Sequence, residues 1–333
     1  ARAVAERILG QFRQPFRVDG SELHVTVSIG IGVAGPDDGV QELLVAADTA
    51  LYTAKGAGKD RYRVFEPRQR AAARERSTLR NDLTSALERG EMEVFYQPIV
   101  KVATGAVAGL EALLRWRHPR RGLLLPAEFL SLAEESGLIV PVGRWVLREA
   151  CGQTARWRSA HVPLSHLRVS VNLSGRQLQD PELAEVVATT LGDTGLPADA
   201  LTLEVSERIV ADLDAMLDTV CRLRSLGATV AIDDFGAFGS SLRFLRRFPP
   251  GELKLDRTLV AGLDGSAEAG AMVGAVIDLG HALHLQAVAE GVEQPGQLEQ
   301  LAGLGCDLAQ GLHWVGPRPA ADVERWLTSA TNP

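Results

Sequence analysis

Carboxylates and amides recur where apolar, strand-like runs of this chain come to an end. Glu111 lies in AGLEALLRW, Asn172 in VSVNLS, Glu204 in LTLEVSE, Asp233 and Asp234 in VAIDDFG, Asp256 in LKLD and Glu290 in AVAEGVE. A buried carboxylate is costly unless a cation or a set of donors offsets it. Six such runs point to bound metal. Glu111, Asn172, Glu204, Asp233, Asp234 and Glu290 are all oxygen donors, which selects hard cations, Mg2+ or Mn2+, over Zn2+. None of the seven histidines stands beside these acids in a zinc-like spacing. The adjacent pair Asp233-Asp234 suits two ions about 4 Å apart, the arrangement that activates water for in-line attack on a phosphodiester. Lys254 and Asp256 are two apart and share one side of their strand. Lys254 there can hold water or donate to a leaving group, a plain salt bridge being its other reading. Arg115, four beyond Glu111, offers a fork for a phosphate. Taken singly, any of these acids could instead cap a following helix.

Strands must carry these residues. Strand-like runs near 94–100, 108–116, 167–173, 201–205, 229–234, 252–256, 284–289 and 306–310 alternate with helical stretches, among them 182–190, 210–226, 268–283 and 297–304. This pattern predicts an α/β fold, a TIM-type (β/α)8 barrel with chemistry at the C-terminal strand ends. The link VATGAV between the first two runs is too short for a crossover helix, so that pair is expected as an antiparallel hairpin. A doubly wound open sheet is the alternative, but no glycine-rich phosphate loop follows the first strand.

Residues 1–66 read as a small α+β unit. A helix is expected over 3–12, a strand pair in the strand-like stretch 22–34, a turn cluster at 35–39, a helix over 40–55 and a last strand at 61–65. Such a unit is too small to bury a full sheet. Its sheet partners are expected upstream, and the chain, which opens on Ala1, is expected to be a fragment or a processed form. Residues 67–91, rich in Arg, Ala and Glu, predict a solvated connecting helix, or two.

Composition bounds the rest. A chain of 333 residues, 46% hydrophobic and 23% charged, fits one large globular domain plus a small piece. Its net charge of −7 argues against a nucleic-acid polymer as partner. No apolar run reaches the roughly 18 residues of a membrane span, and no signal peptide opens the chain. A cytoplasmic location is expected, any membrane anchor of the parent protein lying upstream. Cys151, Cys221 and Cys306 are sparse and odd in number, and read as reduced core residues.

Together these segments resemble the EAL family of bacterial cyclic-di-GMP phosphodiesterases. FYQPIV, EALLRW, VNLSGRQL, LEVSE, IDDFG, LKLD, AEGVE and QG stand in family order from about Leu79 to the C-terminus. The resemblance implies Mg2+- or Mn2+-dependent hydrolysis of cyclic-di-GMP to linear pGpG, with two ions. It implies Glu111, Asn172, Glu204 and Asp233 at the first metal, and Asp233, Asp234 and Glu290 at the second. Lys254 would lie near the attacking water and Arg115 on a substrate phosphate, with Gln97 and Gln310 as further substrate or water contacts. Asp256, Glu207 and Glu293 are implied as supporting residues, Glu207 steadying the loop after Asp234. Whether Glu290 acts as the base is left open. A homodimer through barrel helices and the loop near Phe238 is a further implication.

Residues 23–66 are similar to the C-terminal part of GGDEF-type diguanylate cyclase domains, on VSIGIGVA and ADTALYTAKGAGKDRYRVFE. The GGDEF signature is absent, so this chain is not expected to make cyclic-di-GMP. The boundaries that follow are 1–66 for the GGDEF-like piece, 67–78 for a helical linker and 79–333 for the EAL domain. One stretch departs from the family pattern DDFGTGYSSL. Here it reads DDFGAFGSSL, with Ala237, Phe238 and Gly239 in place of Thr-Gly-Tyr. Lowered or dimer-sensitive activity is expected from that change, the alternative being a weak or inactive EAL domain that senses cyclic-di-GMP.

Overall fold

Helix Arg2–Phe12 leads into a short hairpin of β1 (Phe16–Val18) and β2 (Ser21–Leu23). The computed structural model describes residues 1–330 except 13–14, 19–20, 24, 35–38, 66, 211–215, 238–250 and 265–266. Next, β3 (Ile29–Ile31) pairs in parallel with β4 (Tyr62–Val64), and helix Val40–Gly56 connects them. The helix turns Ala46, Ala50 and Ala54 inward. Small residues let it approach closely, and Gly30 on β3 is required for the same reason, because a Cβ there would overlap the Ala47 carbonyl. The strand pair read over 22–34 falls on the end of β2 and all of β3, which pair not with each other but with β1 and β4 respectively. These elements belong to a compact unit spanning Ala1–Asp82, and Leu83–Pro333 form the other. Helix Pro67–Ala86 runs unbroken through the stretch expected as a linker.

In the larger unit, alternation along the strands sets the architecture. The strands are β5 (Met92–Lys101), β6 (Val107–His118), β7 (Gly122–Leu124), β8 (Arg168–Leu173), β9 (Leu201–Ser206), β10 (Thr229–Phe235), β11 (Glu252–Leu255), β12 (Gln286–Ala289), β13 (Leu308–Ala309) and β14 (Arg318–Pro319). On β9, Leu201, Leu203 and Val205 join the main apolar core, while Thr202 and Glu204 face the opposite side. On β8 the same division separates Val169, Val171 and Leu173 from Ser170 and Asn172. On these two strands apolar residues thus pack outward under helices, and polar residues face the interior. Helix Ile139–Ala160 supplies the largest stripe, with Val142, Val146, Leu147, Ala150, Cys151 and Trp157 all buried. Burying each Leu or Val of this layer contributes about 1.5–3 kcal/mol.

The sheet closes. Its order runs β5-β13-β12-β11-β10-β9-β8-β6, and β6 pairs again with β5. From β6 through β13 neighbours are parallel, whereas β5 is antiparallel to both β6 and β13. This is the expected eight-stranded barrel with one reversed strand. The reversal follows from the short link after Lys101, which permits only a hairpin. Between β9 and β10, the helix expected over 210–226 is two helices among the described residues, Glu207–Val210 and Leu217–Ser225. No helix among the described residues is long and apolar enough to cross a membrane.

Candidate active site

The interior face of the barrel brings four acids around one amine. Lys254 Nζ lies 2.6 Å from Glu290 Oε1, 2.8 Å from Glu204 Oε2, 3.2 Å from Asp233 Oδ1 and 3.7 Å from Glu111 Oε2. Glu204 is on β9, Asp233 on β10, Lys254 on β11, and Glu290 directly follows β12. Register explains the convergence, since Asn172 of β8 lies opposite Glu204, and Glu204 opposite Ala231, two residues before Asp233. Asn172 Nδ2 donates to Glu111 Oε1 at 2.8 Å, and Gln310 Nε2 donates to Glu111 Oε2 at 2.5 Å. Gln310 Nε2 also reaches Gln97 Oε1 at 2.9 Å, and Gln97 Nε2 donates to the Val315 carbonyl at 3.3 Å.

Burial makes this cluster electrostatically costly. The Lys254 and Glu204 side chains are 1% and 0% exposed, so water cannot screen either. Burial, with Glu111, Asp233 and Glu290 nearby, holds the Glu204 carboxyl well above the usual range, against the pull of Lys254. Burial likewise pushes Glu290 up to about 8, helped by Asp233 and Glu111 and opposed by Lys254. Burial alone would lower Lys254, but Asp233, Glu111, Glu204 and Glu290 together raise it well above an ordinary lysine. Asp234 is raised too, by burial and by its neighbours Asp233 and Asp256. One ammonium therefore stands among more negative charge than it can balance.

Further positive charge fits here. Oxygens of Asp233, Asp234 and Glu290 all lie within 4.8 Å of one another. Both Glu204 oxygens, Asp233 Oδ1 and Gln310 Oε1 are buried with no aligned hydrogen bond, so Lys254 serves Glu204 and Asp233 as a nearby charge only. Acceptors buried without donors are what a hard cation requires. Asp234 holds a left-handed backbone (φ 56°), a conformation Asp tolerates better than most residues. That kink turns consecutive carboxylates toward one space.

The remaining expected residues divide. Arg115 is buried on β6, its guanidinium 5.5 Å from the Phe95 ring centre, with Nη1 donating to the Leu114 carbonyl. Glu207 Oε2 accepts from the Gly236 backbone N–H at 3.1 Å, on the loop after Asp234. Asp256 caps helix Arg257–Ala261, accepting from the Thr258 backbone N–H at 2.9 Å and from the Thr258 hydroxyl. Glu293 stands apart. It is exposed and lines a hollow of about 270 Å3 with Arg257, Thr258 and Gln297, in which none of the acids around Lys254 takes part. Glu111 is not at a strand end either, because β6 continues past the barrel to pair with β7. Phe238 and Gly239 lie outside the described residues. Sequence reading missed the Val315 carbonyl and the Gly236 N–H, backbone groups that leave no signal in residue type.

Fold and site define a class, a TIM-type barrel with an all-oxygen, cation-seeking centre in its interior. The chain belongs to the EAL domain family, whose profile matches residues 80–317, and residues 1–61 match part of the diguanylate cyclase GGDEF domain. It is 41% identical, over 97% of its length, to the bifunctional diguanylate cyclase/cyclic di-GMP phosphodiesterase MucR of Pseudomonas aeruginosa. It is 38% identical, again over 97%, to the cyclic di-GMP phosphodiesterase PdeR of Escherichia coli. The chain spans about half the length of these curated relatives, 47% and 49%. Among solved structures, the PaMucR phosphodiesterase in complex with c-di-GMP matches at a TM-score of 0.70 and 42% identity, over 74% of this chain and 99% of that one. The EAL enzyme Bd1971, with cAMP and cyclic-di-GMP bound, matches at 0.74 and 28%, over 88% and 77%.

Proposed function

We propose that this chain is a metal-dependent phosphodiesterase that hydrolyses cyclic-di-GMP to linear pGpG. The observation that carries this reading is the buried cluster around Lys254, where oxygens of four acids meet, and both of Glu204 and Oδ1 of Asp233 lack donors. Relatives that bear the phosphodiesterase name support the choice of substrate. Glu111, Asn172, Glu204 and Asp233 would hold one Mg2+ or Mn2+, and Asp233, Asp234 and Glu290 a second. Such ions, when bound, lower the pKa of water and neutralise charge on a phosphodiester. Gln310 and Asn172 orient the Glu111 carboxylate through its two oxygens. Lys254 keeps an ammonium beside the reacting oxygens, and Arg115 binds a phosphate of the substrate. Glu290, pushed up to about 8 in the metal-free chain, would give up its proton when it binds a cation. Glu207 ties the loop after Asp234, and Asp256 fixes the turn that follows Lys254. To Glu293 we assign a substrate contact from the separate hollow that it lines with Arg257 and Thr258.

We assign residues 1–66 to the GGDEF-like piece, 67–78 to the linker and 79–333 to the catalytic domain, acting as a cytoplasmic homodimer. Incubation with cyclic-di-GMP and Mn2+, followed by chromatography for pGpG, tests the reaction. Product should form, vanish with EDTA, and vanish in Glu111→Ala and Glu290→Ala. Full turnover in both variants would sink the assignment, and binding without product would make the domain a sensor.

A further inference from the structure

Upstream of the acids on the same strands lies a second polar cluster, which the proposed reaction does not use. Arg168 Nη1 pairs with Glu252 Oε1 at 2.8 Å. Arg168 Nη2 donates to Thr202 Oγ1 at 2.9 Å and to Thr229 Oγ1 at 3.0 Å. The Glu252 side chain is 5% exposed and Thr202 is buried, so this is an interior contact rather than a surface ion pair. One guanidinium thereby joins four strands, its own β8 with β9, β10 and β11. Of the three others, only β9 adjoins β8 in the sheet, so the bonds to β10 and β11 cross the barrel interior.

Every one of those strands carries a site residue further along the same face. Steps of two lead from Arg168 through Ser170 to Asn172 and from Thr202 to Glu204. They lead likewise from Thr229 through Ala231 to Asp233, and from Glu252 to Lys254. At about 3.3 Å per residue, the cluster sits roughly 7–13 Å along the strands from the site. The backbone ladder is irregular beside the site. Between β10 and β11 the register shifts between Ile232 and Phe235, across Asp233 and Asp234, and β11 is only Glu252–Leu255. The ladder therefore leaves the axial offset of Asp233 against Lys254 loosely set.

We propose that Arg168 is a positioning residue for the metal site. By holding Thr202, Thr229 and Glu252 at once, it fixes how far β8, β9, β10 and β11 stand along the barrel relative to one another. That offset places Asn172, Glu204, Asp233 and Lys254. Cation sites tolerate errors of only about 0.2 Å in donor distance, so a small slide between strands is felt as lost affinity. The inference rests on the cation-binding reading of the acid cluster.

Calorimetric titration of metal-free protein with Mn2+, together with thermal melts, tests it. Arg168→Met alone strands the Glu252 charge, so the informative variant is Arg168→Met/Glu252→Gln, which leaves a neutral cluster. It should fold and bind Mn2+ at least tenfold more weakly than the unaltered chain. Arg168→Lys can pair with Glu252 but cannot fork to both threonines, and should fall between the two. A merely stabilising strut would lower the melting temperature of the double variant with Mn2+ affinity unchanged, and that result overturns the proposal. So does full affinity in Arg168→Lys, since charge pairing alone would then suffice. If the unaltered chain binds no Mn2+, the metal reading itself fails and takes this one with it.

Discussion

Lys254 is the only cation placed among Glu111, Glu204, Asp233 and Glu290 in the described residues, and its loss should be felt first in the metal-free protein. Removing one partner of a buried ion pair costs about 3–5 kcal/mol. Lys254→Met is expected to lower metal-free stability by about that amount in urea melts at neutral pH, with part of the loss restored by millimolar Mn2+. Unchanged stability, or no recovery on adding Mn2+, would contradict the arrangement. Glu290 gives a pH dependence of definite sign. Its carboxyl titrates near 4.5 when unperturbed and near 8 in the folded, metal-free chain. Between those values the folded state keeps a proton that the unfolded state has lost. Stability from this group is therefore full below about 4.5 and declines as pH rises, until both states are ionised above about 8. The rise in melting temperature caused by Mn2+ should accordingly grow from pH 6 to pH 8.5, because the cation must displace that proton. A rise independent of pH would remove Glu290 from the metal site. The acids and Lys254 were legible in the sequence through residue type and a period of two. The main-chain partners of Gln97 and Glu207, in Val315 and Gly236, were not, because a main-chain carbonyl or N–H is common to every residue.

At the scale of elements, Gly311 decides how two loops pass. A Cβ at Gly311 would overlap the backbone of Val292, so the Gln310 loop and the loop after Glu290 touch main chain to main chain. Gly311→Ala must push these loops apart, and an overpacked contact of this kind typically costs about 1–3 kcal/mol. The expected outcome is a lowered melting temperature together with a larger loss of hydrolysis than of folded protein, since Gln310 moves with the loop. Wild-type turnover in a folded Gly311→Ala protein would count against that coupling. The QG pair was visible in the sequence as a motif, but its steric reason needed the crossing of two segments far apart in the chain. Strands β8 to β12 were legible for a plain reason: each alternates apolar residues with polar or small ones. The helix pair after β9 was not, because 210–226 keeps a helical pattern across the point where Leu217–Ser225 begins anew.

For the molecule as a whole, the barrel could be inferred from the count and order of strands, and its reversed strand from the brevity of one link. The interior contacts of Arg168 could not, since nothing in the sequence marks a guanidinium that spans three other strands. The N-terminal unit carries a GGDEF likeness without the signature, and incubation with GTP and Mg2+ is expected to yield no cyclic dinucleotide. Formation of cyclic-di-GMP would overturn that expectation.

The antiparallel placement of β5 also sets an order of events during synthesis. Gln97 of β5 meets Gln310 beyond β13, a partner 213 residues later in the chain. At 5–20 residues per second, a ribosome needs roughly 10–40 s to make that interval. During this time β5 and β6 can pair with each other, but the other edge of β5 has no neighbour. That edge is a ready template for pairing with another chain. The barrel strand made first is thus the last to be enclosed, and a growing polypeptide of this kind is expected to depend on chaperone cover until β13 has emerged.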